Sequence, residues 1–430
     1  MSAPGPAPGS ARSRPLLGAA ALAALPALVL ADCAVLAARG WRPLGTGDRL
    51  ALGAVAAALV APFALLALRP LRRLLGTRWR QLALLCAGLL LSFGLAELGL
   101  ARLIPEPGFH LRPAGMRRVH RTDPAVMPGI AGDSRYTVDA LGVRGPELPA
   151  ERSIPRLLCI GGSTTECLYL DDDETWPHML GERLKAEAPV WVGAIGLAGF
   201  SSVHHLKFLE ESALVRDGTF DTVVVLVGVN DLWKVYLGVT EEQQLAGDLK
   251  PLWARSRLAG VLHGWLDRWR AERSAGLEHW AYHVPQLRRE RAAGAKLDQG
   301  PDLAPWLDQY QARLERIAAV CRERGLKLVF VSQPVQWAAD LPPEIEARFW
   351  FGWVEGGGYV TARVLRAGMD AFNQRLAQVA ARLDLPLIDL SPMSGDARFF
   401  FDDCHFSEAG AREAAARIAD RLLEHPDAWR

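Results

Sequence analysis

The chain is poor in cysteine, with six in 430 residues, and no two of them stand at metal-ligand spacing. A zinc site is therefore unsupported, and no cofactor is expected. Acidic residues are nearly missing from the first quarter. Residues 1–104 hold 11 Arg against three acids, Asp32, Asp48 and Glu97, whereas the remainder holds 38 basic and 45 acidic residues. A larger part with net negative charge repels phosphates, which argues against a nucleic-acid partner. A small-residue cleavage site is lacking after the first apolar run, so a removed signal peptide is not expected. Leu30-Ala31-Asp32-Cys33 is spaced like a lipoprotein site, but Asp before the Cys is wrong for one. Internal repeats are missing too, and low complexity is confined to the first fifteen residues.

What fills the first quarter is apolar. Residues 16–38, 50–68 and 81–101 form three runs with at most one charge each. A helix needs about 20 such residues to cross the hydrocarbon core. Three in succession predict a membrane anchor over 1–104 rather than a buried helical hairpin. Arg69, Arg72, Arg73, Arg78 and Arg80 lie between the second and third runs, and Arg12 and Arg14 precede the first. Positive loops stay cytoplasmic. The expected topology is N-terminus inside, three crossings, and everything after about residue 105 outside. The expected location is the inner membrane of a bacterium, with the larger domain in the periplasm.

Residues 105–150 show no sustained period and are read as an extended lead-in. A domain over 151–430 then alternates. Short apolar runs at 156–160, 190–195, 222–227, 326–331 and 385–390 read as buried strands. Helical spacing recurs at 176–188, 202–216, 306–324, 367–383 and 408–423. Such alternation implies a parallel sheet covered by helices on both faces. The long gap between the third and fourth strands reads as a helical insertion at about 235–300. It is rich in tryptophan: Trp253, Trp265, Trp269 and Trp280 fall inside it, with Trp233 and Trp306 at its borders. They either stack on sugar rings, sit at the membrane surface, or pack the insertion's own core. Phe349-Trp350-Phe351-Gly352-Trp353 is a second aromatic segment, placed at the rim of the site.

Ligands of such sheets bind at the C-terminal ends of the strands. The first strand ends in Gly161-Gly162-Ser163-Thr164, the second in Gly196-Leu197-Ala198-Gly199, and the third in Gly228-Val229-Asn230-Asp231. Before the last helix stands Asp402-Asp403-Cys404-His405. Alone, Ser163 reads as a helix cap and Asn230 as a cap or turn residue. Together the four segments resemble the four blocks of the SGNH (GDSL-like) hydrolase superfamily, in order, over about residues 156–423, and in particular its membrane-anchored bacterial members. That resemblance implies a flavodoxin-like three-layer α/β/α sandwich. It also implies Ser163 as nucleophile, His405 as base and Asp402 as its carboxylate, with Asp403 the alternative. The Ser163 and Gly199 amides and the Asn230 side chain would form the oxyanion hole. Members often carry Asp where Gly162 stands, and Asn where Ala194 stands. Cys167 and Cys404, each close to a catalytic candidate, are as compatible with a disulfide as with free thiols.

The expected activity is hydrolysis of an extracytoplasmic ester, with a carbohydrate O-acetyl group as the first candidate and an acylated polysaccharide or lipid as the partner. Two alternatives stand beside it: an O-acyltransferase acting on a polysaccharide, and a non-catalytic glycan-binding protein on the same fold. The topology makes a direct prediction. A C-terminal fusion to a reporter active only outside the cytoplasm will be active; activity of a cytoplasm-only reporter there would overturn it.

Overall fold

The computed structural model describes residues 111–112, 114–247 and 279–430, together with scattered helical positions between 78 and 98. The expected spans 16–38 and 50–68 lie outside the described residues, as do ten of the 21 positions of 81–101 and Trp253, Trp265 and Trp269. No helix among the described residues is long and apolar enough to cross a membrane. Residues 106–248 and 269–430 form one compact unit, which holds every strand and helix named next.

The unit opens with an antiparallel pair, β1 (Arg117–His120) and β2 (Ser134–Thr137). Then come β3 (Arg156–Gly161), β4 (Trp191–Gly196), β5 (Thr222–Leu226), the short β6 (Lys296–Leu297), β7 (Lys327–Val331), β8 (Tyr359–Val360) and β9 (Leu387–Ile388). Five of these make a parallel sheet in the order β4-β3-β5-β7-β9. With its strands counted in chain order this is 2-1-3-4-5, the flavodoxin-like winding, with its switch point between β3 and β5.

The strands are apolar on both faces because both faces are covered. Leu158, Ile160, Val223, Val225, Leu328 and Phe330 enter one core, and Leu157, Cys159, Val224, Leu226, Val329 and Val331 enter the other. The helices follow in chain order: α1 (Ser163–Glu166), α2 (Trp176–Lys185), α3 (Ser202–Glu211), α4 (Ala213–Arg216), α5 (Val229–Tyr236), α6 (Glu241–Gly247), α7 (His279–Ala293), α8 (Ala304–Glu323), α9 (Pro343–Glu346), α10 (Ala362–Arg382) and α11 (Glu408–Glu424). Apolar stripes of α3, α5, α8 and α10 cover the first face, through Phe208, Leu232, Ile317 and Phe372 among others. Helices α2 and α11 cover the second, through Leu180, Leu184, Ile418 and Leu422. The result is an α/β/α sandwich.

Three details differ from the sequence reading. The last strand shrinks from 385–390 to two residues, because Pro386 has no N–H for the ladder. The Leu385 amide is drawn instead to Ala380 O, and that of Leu390 to Ser332 Oγ. The helix expected over 202–216 breaks at Ser212, whose backbone is extended (ψ 131°). The lead-in is structural rather than loose. Met127, Ile130, Tyr136 and Val143 are buried, and Arg144 bridges antiparallel to Ala194 on the open edge of β4. That edge would otherwise present unpaired backbone groups.

The Arg144 side chain ties the lead-in to the turn after β3. Its guanidinium donates to Glu166 O at 2.6 Å, Cys167 O at 3.0 Å, Leu170 O at 2.8 Å and Asp172 Oδ1 at 3.0 Å. Truncation strands those carbonyls in the interior. Arg144→Ala is expected to destabilise the unit by about 3 kcal/mol. Denaturant unfolding of the purified chain checks this, and a change under about 0.5 kcal/mol would refute the bracing role.

Candidate active site

The first sheet strand delivers Gly161-Gly162-Ser163 to the C-terminal edge, where α1 begins. The cap of α1 is Gly162, and Ser163 is the first helical residue, so the local reading of Ser163 as the cap does not hold. Its amide is one of the first-turn N–H groups that have no intrahelical acceptor. Gly162 is required by crowding. A Cβ there would fall 2.2 Å from Asn230 Nδ2 and 3.0 Å from Phe200 O. The Asn230 amide group is thus packed against the turn carrying Ser163, and it donates to Phe200 O at 2.8 Å. A carboxamide has two N–H groups, so this bond leaves a second donor. Gly199 follows β4 with φ +80°, a conformation that a side chain would strain. Asn230, Gly199 and Ser163 all line one cavity.

His405 comes from the loop between the sheet and α11, whose cap is Ser407, accepting from the Gly410 amide at 3.1 Å. His405 Nε2 lies 2.8 Å from Ser163 Oγ. Its Nδ1 lies 2.7 Å from Asp402 Oδ2 and 2.9 Å from Oδ1. A carboxylate only accepts, so Nδ1 carries the proton and Nε2 offers its lone pair to the Ser163 hydroxyl. The Asp402 side chain is fully buried, and that of His405 is 16% exposed. Asp402 also accepts from the amides of Cys404 at 3.0 Å and His405 at 2.9 Å, and from the Trp350 indole Nε1 at 3.0 Å.

These contacts set the charges. Burial pushes the Asp402 carboxyl up, but the His405 charge and the hydrogen bonds outweigh it and hold the group well below the usual carboxylate range. Burial pulls His405 down; the Asp402 charge and hydrogen bond, helped by Cys404, raise it well above 6.5. Asp403 is pushed upward by burial and by the adjacent Asp402. It does not reach His405. It accepts instead from Trp337 Nε1 at 2.7 Å and from the amides of Trp350 at 2.9 Å and Phe351 at 3.3 Å. Of the two acids left open by the sequence, Asp402 is the one on the imidazole.

The cavity holds about 400 Å³ and is walled by Leu168, Tyr169, Leu170, Trp233, Trp350, Phe351, Phe401 and Phe406. Of the tryptophans around the insertion, Trp233 faces this cavity and Trp306 packs on the core. Cys167 and Cys404 both line the cavity and both are free thiols. Asp402, Cys404 and His405 also place three potential metal ligands within 4.8 Å of one another. The Nδ1 of that set is already engaged by the carboxylate, so hydrogen bonding accounts for the cluster.

A serine hydroxyl on an imidazole, an imidazole on a buried carboxylate and amide donors beside the serine are the equipment for acyl transfer. The model of the GDSL-like lipase/acylhydrolase family matches residues 159–413, a span that contains all of these groups. The chain belongs to that family. It is a serine hydrolase. No curated protein matches the chain. Among solved structures, it is similar to an acylhydrolase from Bacteroides fragilis at 12% identity, covering 65% of this chain and 91% of that one, with a TM-score of 0.34. It is also similar to a psychrotrophic esterase from Pseudoalteromonas at 12% identity, covering 63% and 98%, with a TM-score of 0.35. An acetyl xylan esterase is similar at 14% identity, covering 62% and 99%, with a TM-score of 0.35.

Against the family pattern, the structure explains both departures. Gly162 replaces an Asp that would strike Asn230. Ala194 sits inside β4, paired to the Arg144 backbone, and the turn leading to Gly199 is held from elsewhere. Glu166 Oε2 accepts from the Ala198 amide at 2.9 Å, while Oε1 is ion-paired with Arg112. Glu166, Arg112, the bond of Trp350 to Asp402 and the anchoring role of Asp403 escaped the sequence reading, although the aromatic segment that carries Trp350 was placed at the rim. Glu166 also had a local signal, an acid three residues after the nucleophile.

Two outcomes follow. Neutral His405 is the form that can take a proton, so kcat/KM will rise with pH through a limb centred above 6.5, and a limb below that value would contradict the pairing. Gly162→Ala will displace Asn230 and lower kcat/KM about 100-fold with little loss of folding stability; steady-state kinetics beside a thermal melt test it.

Proposed function

We propose that the chain is a membrane-anchored serine esterase whose hydrolase unit works outside the cytoplasm on an acylated glycan or lipid. The 2.8 Å contact between His405 Nε2 and Ser163 Oγ is the observation that carries the chemical part. His405 takes the hydroxyl proton as Ser163 attacks the ester carbonyl. Asp402 fixes the tautomer and stabilises the imidazolium. The amides of Ser163 and Gly199 and the Asn230 carboxamide receive the developing oxyanion. His405 then protonates the leaving alcohol, and water, deprotonated by the same imidazole, releases the acid.

The anchoring rests on the three apolar runs and their arginine flanks. In the third run Leu84, Leu91, Leu95 and Leu98 are exposed on helical positions, 56–74% each, a pattern suited to lipid contact. A carbohydrate O-acetyl group remains the first candidate for the ester. The cavity has the size of sites that enclose whole small molecules, so acetyl is not its upper limit.

An ester panel from acetyl to long acyl, with and without a sugar acceptor, tests the reading on the full chain. Ser163→Ala will lose at least about 1000-fold and Asp402→Asn a similar amount. Full activity of Ser163→Ala would end the assignment. Acyl transfer to the sugar in place of release to water would make the protein a transferase.

A further inference from the structure

The aromatic segment 349–353 was placed at the rim of the site by sequence, but its second residue goes further in. Trp350 Nε1 donates to Asp402 Oδ2 at 3.0 Å, the same oxygen that meets His405 Nδ1 at 2.7 Å. Its ring lines the cavity and meets Trp233 edge-on at 6.1 Å between centroids. From the ring's position the indole bridges the cavity wall and the buried carboxylate.

The backbone presenting this indole is held on both sides. Asp403 accepts from the Trp350 and Phe351 amides, at 2.9 and 3.3 Å, and from Trp337 Nε1 at 2.7 Å. From the far side Arg291 donates to Phe351 O and to Val360 O, the latter at 3.0 Å, and Arg288 donates to Arg348 O at 2.8 Å. Neighbouring acids thus divide the work: Asp402 orients His405, and Asp403 orients the segment that supplies a donor to Asp402.

We propose that Trp350 is a positioning residue of the hydrolase, acting on His405 through Asp402, with Asp403 as the clamp that holds it in place. The indole N–H fixes the rotation of the carboxylate and shares its charge. Without it the carboxylate turns more freely and binds the imidazolium more strongly. Among the described residues, the titratable groups that face the Asp402–His405 pair are Asp403, Arg288, Cys404 and Cys167, and none of them is altered by the substitution below. The inference rests on the triad reading above.

The test is a double-mutant cycle on the full chain, using one activated ester. Trp350→Phe keeps the backbone amide bonded to Asp403 and an aromatic wall, and removes only the N–H and part of the ring. Alone it will lower kcat about tenfold, the scale of a hydrogen bond to a charged group. It will also move the acid limb of kcat/KM to higher pH. In the Asp402→Asn background it will change kcat by less than about twofold, because the acceptor charge it acts on is gone. Changes in KM report the ring's contact with substrate and do not enter the cycle. Trp350→Leu, which likewise puts no donor at Asp402, replaces Trp350→Phe if the latter does not fold. Equal fold-losses in both backgrounds, or an unmoved acid limb, would overturn the proposal. Full activity of Asp402→Asn would instead overturn the triad reading beneath it.

Discussion

A single buried charge, the Asp402 carboxylate, dictates how the C-terminal part of the site is built. Its side chain has no solvent exposure. An ion taken out of water costs several kcal/mol unless its lone pairs are met. Four N–H groups meet them: His405 Nδ1, the amides of Cys404 and His405, and the Trp350 indole. The two amides require the loop to curl around its own acid. The imidazole contact sets the tautomer that faces Ser163. The indole contact requires a segment some fifty residues earlier in the chain to be held in place, which Asp403, Arg288 and Arg291 accomplish. The catalytic geometry is in this sense a by-product of satisfying one carboxylate.

The nucleophile side obeys a different constraint, close packing. The Ser163 turn, the Asn230 amide and the loop after β4 are within contact distance, and Gly162 is what allows it. Glu166 extends the same arrangement outward, joining α1 to the Ala198 amide and to Arg112. The donors around Ser163 are therefore positioned by backbone and buried side chains before any substrate arrives, which is the condition for electrostatic stabilisation to be effective.

The sheet was readable because each of its strands is a run of apolar residues closed by glycine or by a polar cluster, and because strands and helices alternate. Ser163, Gly199 and Asn230 were readable because they stand just after strands, and Asp402 and His405 because they stand just before the last helix, all in family order. The short β9 was overestimated, since an apolar run does not reveal that Pro386 denies the ladder a donor. The lead-in was underestimated, since Tyr136, Val143 and Arg144 find partners far along the chain and leave no local period. Trp350 illustrates the same limit. An aromatic cluster announced itself in the sequence, but nothing local indicated that one indole N–H would point at a carboxylate 52 positions away.

The central claim is that one serine, activated by one histidine, carries the chemistry of this chain. Peptide-resolved mass spectrometry of the full chain after reaction with a fluorophosphonate probe tests it most directly. The account predicts a single phosphonyl adduct on Ser163, with labelling strongly slowed in His405→Ala. An adduct on another residue, or labelling indifferent to His405, would contradict it.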